Sequence, residues 1–245
     1  MKILIVTVAG MSTRFSRSLG RECVKCLYYK RGFSESLLYR MLHQPVAFDK
    51  YIIVGGYRYA ELAEAVRQEF PAYAEKIVLV NNTHYQSYGS GYSLFCGLKE
   101  AMKFPFSEIV FAEGDLYVDA PSFAAVYGSK RDVITCNRDP ITADRSVAFY
   151  FDLQGKVHYI YDTGHSALEI DEPFLEIRNS GQIWKFADAE RLRETVRAMP
   201  AESWQATNLV LIQRYFGGMN REQYSVIPFE KWINCNTVED FNGIA

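Results

Sequence analysis

Met1-Lys-Ile-Leu-Ile-Val-Thr-Val-Ala-Gly10-Met-Ser-Thr-Arg14 is the stretch that decides the fold. Ile3 to Val8 is a short apolar, β-branched run, the composition of a buried strand. It opens directly into Ala9-Gly10-Met11-Ser12-Thr13-Arg14, and a polar loop later brings Val24-Lys25-Cys26-Leu27. Gly10 lets the backbone turn sharply and approach a ligand closely. Successive backbone N–H groups in such a turn make an anion-binding concavity. Arg14 adds a planar fork of donors, and Lys25 a point charge. A strand, a turn of this kind and two cations together read as a holder for a triphosphate.

Strand-like runs recur at Ile3–Val8, Tyr51–Val54, Ile77–Val80, Ile109–Ala112 and Val133–Cys136. Helical patterns lie between them, at Ser34–His43 (with a Ser cap and a Glu behind it), Tyr59–Phe70, Tyr92–Met102 and Ser122–Tyr127. This alternation predicts an α/β fold, a mostly parallel central sheet with helices on both faces. Ligands of such sheets bind at the carboxyl ends of the strands, where the first loop lies. From Ser146 the texture changes. Ser146–Leu153, Gly155–Tyr161 and Phe174–Ile177 read as a β-hairpin insertion around the turn at Leu153–Lys156. Asp188–Met199 and Trp204–Phe216 read as late helices. No repeat or linker interrupts the 245 residues, so the expectation is a single domain over 1–245, with a nucleotide-binding half (1–135) and an acceptor-binding half (136–245).

Composition narrows the class. A net charge of −2 argues against a nucleic-acid binder. No apolar run reaches the roughly 18 residues of a membrane span. No secretory leader is evident, and five scattered cysteines suit a reducing cytoplasm better than a disulfide framework. Cys23-x-x-Cys26 lacks the second pair a zinc site wants. A P-loop and a dinucleotide fingerprint are both absent.

Val8-Ala-Gly-Met-Ser-Thr-Arg14 followed by Val24-Lys-Cys-Leu27 resembles the A-A-G-x-G-(S/T)-R … P-K-x-L signature of nucleotidyltransferases with a GT-A-like, Rossmann-related fold. The likeness leans to the choline-phosphate cytidylyltransferase and sugar-1-phosphate nucleotidyltransferase branch. Ser12 stands in place of the usual glycine and Val24 in place of proline. Three later segments fall in the family's order. Asn81-Asn82-Thr83-His84-Tyr85 with Gly89-Ser90-Gly91-Tyr92-Ser93-Leu94 resembles N-P-x-Y … G-S-x-x-S-L, the loop that meets the base. Glu113-Gly114-Asp115 resembles the family's G-D motif, whose Asp binds Mg²⁺, with Asp119 and Glu113 as weaker ligand candidates. Trp232-Ile-Asn-Cys-Asn236-Thr-Val-Glu-Asp240-Phe resembles the W-x-x-I-D-T-x-x-D-L element, with Asn236 at the place of a second metal ligand. Without the resemblance, Asn236 or Thr237 is equally a helix cap.

The resemblance implies a Mg²⁺-dependent transfer of a nucleotidyl group from a nucleoside triphosphate, CTP first, to a small phosphate monoester such as phosphocholine. It implies catalytic Arg14, Lys25 and Asp115. It implies nucleotide contacts from Ala9, Gly10, Met11, Ser12, Thr13, Asn82, Gly89, Ser90 and Gly114, and metal ligation by Asp115 and Asn236. A quaternary ammonium acceptor wants an aromatic cage, for which Tyr150, Tyr159, Tyr161 and Trp184 are the candidates. His165 and Arg178 are candidates for an anionic acceptor group instead. The implied setting is cytoplasmic, with a homodimer allowed and no nucleic-acid or membrane partner. Three other readings stay open: a sugar-1-phosphate nucleotidyltransferase using UTP or dTTP, a non-catalytic nucleotide-binding module, and a glycosyltransferase. The last would show D-x-D where this chain has Asp115-Leu116-Tyr117.

Overall fold

A computed structural model describes residues 1–144, 146–160 and 167–244. The chain opens with β1 (Lys2–Thr7), α1 (Thr13–Leu19), α2 (Leu37–Leu42), β2 (Lys50–Gly55), α3 (Tyr59–Glu69), β3 (Ile77–Asn81) and α4 (Ser90–Ala101). It continues with β4 (Glu108–Glu113), β5 (Leu116–Val118), α5 (Ala120–Gly128), β6 (Asp132–Asn137), β7 (Ala148–Asp152), β8 (Val157–Tyr159) and β9 (Phe174–Phe186). It closes with α6 (Ala189–Arg197), α7 (Leu209–Phe216), β10 (Tyr224–Pro228), β11 (Trp232–Asn234) and α8 (Val238–Asn242).

The main sheet runs in the order β10-β6-β9-β4-β1-β2-β3, with β7 and β8 branching from β9. β1 lies parallel between β2 and β4, so Ile5 pairs with Ile52 on one side and Phe111 on the other. β9 alone on this path runs against its neighbours β4 and β6. The alternation of a strand explains the helices on both faces. Ile3 and Ile5 pack with Ile52, Leu94, Leu98 and Phe111 on one face. Leu4 and Val6 pack with Ile53, Leu62, Val66 and Phe123 on the other. No helix among the described residues is long and apolar enough to cross a membrane.

The hairpin insertion forms as β7 and β8, which pair antiparallel, but β9 is much longer than the stretch Phe174–Ile177 suggests. Its second half enters the main sheet. The polar run Arg178-Asn-Ser-Gly-Gln182 hides it, and there the ladder shifts register between Ile134 and Cys136. Gln182 takes a left-handed φ of 55° inside this bulge. Two helix readings change in detail. α2 is capped by Ser36, whose side chain accepts from Tyr39 N–H, and residues 33–35 form a separate 3-10 turn. The late helix divides into a 3-10 turn at Ala201–Gln205 and α7.

A second, small sheet matters most for the site. β5 and β11 pair antiparallel, Leu116 opposite Asn234. One step beyond the ladder, Cys235 N–H donates to the Asp115 carbonyl at 2.9 Å. The Gly-Asp edge and the carboxyl-terminal element, far apart in sequence, are thereby stitched together.

Candidate functional site

The loop after β1, the loop after β4 and the N-terminus of α4 enclose a cavity of about 320 Å³ at the carboxyl edge of the sheet. Ser12 supplies the sharp turn. It sits in the left-handed region at φ 55°, which is where a glycine is ordinarily wanted and which costs a serine of order 1 kcal/mol. Its hydroxyl accepts from Lys25 N–H at 3.2 Å and so ties the first loop to the lysine's loop. Lys25 Nζ then reaches Asp115 Oδ2 at 2.7 Å. Both side chains are mostly enclosed, 18% and 24% exposed. The second oxygen, Asp115 Oδ1, is buried and has no hydrogen-bond partner among the described residues.

Glu113 lines the same cavity, and its Oε1 accepts from Asn208 Nδ2 at 2.6 Å. Burial, and then the negative charge of Asp115, push this carboxyl up from the ordinary 4.5 to about 7, against the opposing pull of the Asn208 bond and of Lys25. A carboxyl raised in the folded state holds a proton that the unfolded chain has released. Its contribution to stability is therefore greatest below about pH 4.5, falls as pH rises toward about 7, and is flat above. Glu113→Gln keeps an oxygen for Asn208 and has no charge to desolvate. It is expected to melt higher than the wild type at pH 8 and to match it near pH 4.5. Parallel melting curves at both pH values check this, and an equal difference at the two would refute the assignment.

Asn208 is the residue sequence reasoning missed. Its N–H donates to Ser90 Oγ at 3.0 Å while its amide holds Glu113, so it couples the α4 loop to the Gly-Asp edge. The signal was hidden because residues 204–216 read as one helix. Tyr85 and Tyr88, from the segment expected to meet the base, line the cavity beside Ser90 and Ser93.

Of the predicted residues, the structure brings Ala9, Gly10, Ser12, Lys25, Gly89, Ser90, Gly114 and Asp115 into this one cavity. Gly114 is fixed by packing, since a Cβ there would run into Val8 Cγ1. Gly89 is likewise fixed by packing. A Cβ would run into the Ala206 carbonyl, and Gly89 N–H donates to Gln205 C=O at 2.8 Å. Met11 and Thr13 are exposed and lie outside the cavity wall.

Others are corrected. Asn82 is buried and turned inward, donating to Ser93 Oγ at 2.9 Å and accepting from His84 N–H at 2.8 Å, so it shapes the loop from below. Trp184 is 0% exposed, stacked on Phe111 with its Nε1 donating to Tyr159 Oη, so it presents no face to an acceptor. Tyr150 stacks on His158 and donates to Glu172 out on the hairpin. Tyr161 and His165 lie outside the described residues. Arg178 is engaged by Glu176. Asp119 is the N-cap of α5, accepting from Ser122 N–H and Lys231 N–H. The thiols of Cys26 and Cys235 are pushed up to about 12 by burial, which makes them poor nucleophiles.

Arg14 and Asn236 face a different space. They line a second cavity of about 730 Å³ with Asp139, Asn179, Trp232 and Asn234. Asn236 N–H donates to Asp240 Oδ2, part of the box in which Thr237 caps α8. The two cavities flank the Asp115–Cys235 junction. No group of three or more His, Cys, Asp or Glu placed to hold a metal ion occurs among the described residues.

The chain belongs to the family described as a domain of unknown function, DUF6564, which matches residues 21–245 and leaves the first loop outside the matched span. No curated protein matches the chain. Solved structures do resemble it. The inositol-1-phosphate CTP transferase from T. maritima superposes with a TM-score of 0.69 at 15% identity, covering 98% of this chain and 91% of that one. A protein assigned as a glucose-1-phosphate thymidylyltransferase from Bacillus anthracis, in complex with sucrose, gives 0.69 at 13%, covering 100% and 95%. HddC from Yersinia pseudotuberculosis, complexed with GMP-PN, gives 0.61 at 15%, covering 99% and 97%. At these identities the likeness establishes the fold, an α/β sheet shared with nucleotidyltransferases.

Proposed function

We propose that the chain is a nucleotidyltransferase that binds a nucleoside triphosphate in the 320 Å³ cavity and joins its nucleotidyl group to a small phosphate monoester. One observation carries the reading. Lys25 and Asp115, from motif segments 90 residues apart, meet at 2.7 Å under a left-handed loop and opposite a helix N-terminus. That arrangement offers backbone donors and a cation to phosphate oxygens at the edge of the sheet. The T. maritima neighbour is named for CTP, which supports CTP as the donor. Tyr85 and Tyr88 give the base a surface to stack on, and Ser90 gives it a hydrogen-bonding partner.

Magnesium fits the residues present. It asks for one or two carboxylates, phosphate oxygens and water, and Asp115 Oδ1 is an enclosed oxygen without a partner among the described residues. Asp115 would hold it, and the ion would offset the charge of the α-phosphate; Asn236, the second ligand the resemblance implies, lines the neighbouring cavity instead. In the transfer itself an acceptor phosphate oxygen forms a new bond to the α-phosphorus, the α–β bridging bond breaks, and pyrophosphate leaves. The acceptor is already an anion, so no general base is needed. The loop N–H groups orient the triphosphate, Lys25 neutralises it, and Asn208 holds the Glu113 carboxyl in place at the cavity wall. Arg14, on the wall of the second cavity, meets the acceptor's phosphate.

Phosphocholine is the acceptor the sequence resemblance puts first. Burial of Trp184 removes one wall of the aromatic cage it would need. A sugar 1-phosphate is the second reading, favoured by that same burial and by the B. anthracis neighbour. Pyrophosphate release from four nucleoside triphosphates, each against phosphocholine, phosphoethanolamine and glucose 1-phosphate, tests the proposal. Release that needs both a nucleotide and an acceptor supports it. Saturable nucleotide binding with no release on any acceptor would make the chain a binding module.

A further inference from the structure

Lys25 is the sole cation among the described residues that line the first cavity, and two carboxyls, Glu113 and Asp115, line it too. Glu113 is held through Oε1 by Asn208 at 2.6 Å. Asp115 is closed on both sides. Its Oδ2 carries the Lys25 ammonium at 2.7 Å, and its Oδ1 is walled in without a partner among the described residues. A cation from solution therefore reaches this carboxylate only after the ammonium has left Oδ2.

The lysine's backbone is pinned, and its head is held at one point. Its N–H donates to Ser12 Oγ at 3.2 Å, and the residue opens a 3-10 turn over Lys25–Leu27. The ammonium has Asp115 as its one partner among the described residues. A four-carbon stem lets such a head swing while the backbone stays in place. Ala9, Gly10 and Ser12, the loop that would face phosphate, line the same cavity.

One ammonium cannot serve two anions. A triphosphate that drew it away would leave a mostly enclosed carboxylate unpaired, which is costly. A divalent ion arriving alone would meet the ammonium as a like charge at short range. Each arrival on its own is opposed, and the two together offset each other.

We propose that Lys25 is a latch on the metal-binding carboxylate: paired with Asp115 it keeps divalent ions off the nucleotide-free protein, and a triphosphate releases it, so that metal and nucleotide bind as a coupled pair. The inference rests on the nucleotidyltransferase reading and deepens it, because it gives Lys25 a task before the chemistry as well as during it. Coupling of this kind is reciprocal, so the lysine that excludes the metal also sets how strongly the metal assists the nucleotide.

Mn²⁺ takes the same oxygen donors as Mg²⁺, and its unbound fraction is counted by its paramagnetic resonance signal. It is titrated into the whole protein without nucleotide. Wild type and Asp115→Asn are expected to bind it alike, because the latch already denies Asp115 to the ion. Lys25→Met keeps an apolar stem and removes the charge. It is expected to bind Mn²⁺ at least about tenfold tighter than the wild type, and the double variant Lys25→Met/Asp115→Asn to lose that gain. The melting temperature of Lys25→Met is expected to rise with Mn²⁺ while that of the wild type stays put. Lys25→Gln is a second variant, should the first fail to fold. With CTP present the wild type is expected to become sensitive to Asp115→Asn, losing at least about tenfold in Mn²⁺–CTP affinity. Mn²⁺ binding to nucleotide-free wild type that Asp115→Asn abolishes, or equal Mn²⁺ affinity of the wild type and both lysine variants, would overturn the inference. Absence of CTP binding would instead strike the parent reading, because the titrations without nucleotide still decide whether the lysine guards the carboxylate.

Discussion

Lys25→Ala is expected to lower pyrophosphate release at least about a hundredfold, because it removes a charge-stabilising group worth roughly 3 kcal/mol in a water-poor site. The side chain is mostly enclosed and faces Asp115 at 2.7 Å, so its charge is poorly screened. The same contact makes a second effect unavoidable. Without the lysine, Asp115 is a mostly enclosed carboxylate with no partner among the described residues on either oxygen. Loss of one partner from an enclosed pair destabilises, here by about 1–3 kcal/mol. The melting temperature must therefore be measured beside the rate. Lys25→Arg keeps the charge on a different shape, and is expected to restore folding stability and part of the rate. Near wild-type release from folded Lys25→Ala would refute the role of the lysine.

Asp115→Asn is expected to abolish Mg²⁺-dependent release, a loss of at least about a hundredfold. The amide keeps the volume and an oxygen, but removes the charge that both Lys25 and the ion require. Activity of wild type untouched by EDTA, or full activity of folded Asp115→Asn, would reject the metal-assisted account.

The first strand and its loop were readable because their signal is local. An apolar run, a glycine and two cations need no knowledge of what lies elsewhere in the chain. The Gly-Asp edge was readable for the same reason. What escaped depends on contacts across long separations. Gly89 reads as a glycine that clears space for a base, yet the group it clears is the carbonyl of Ala206. Asn82 reads as a loop residue available to a ligand, yet Ser93 and His84 consume its amide. Trp184 sits in an aromatic-rich half and reads as a cage wall, yet β9 carries it into the middle of the sheet against Phe111. The Asn208–Glu113 bond spans 95 residues and leaves no trace in either segment alone. Ser12 is the instructive case. As a departure from the glycine pattern it reads as a weakened loop, but its left-handed backbone keeps the turn and its hydroxyl adds the tie to Lys25.

The cavity between the first loop, the α4 N-terminus and the Gly-Asp edge is proposed to hold a nucleoside triphosphate. A crystal structure of the protein grown with CTP and Mg²⁺ tests it most directly. The account predicts phosphates against the backbone of residues 9–12 with Lys25 within hydrogen-bonding reach, and the base beside Tyr88 and Ser90. An empty cavity at saturating nucleotide, or a nucleotide bound elsewhere on the chain, would contradict it.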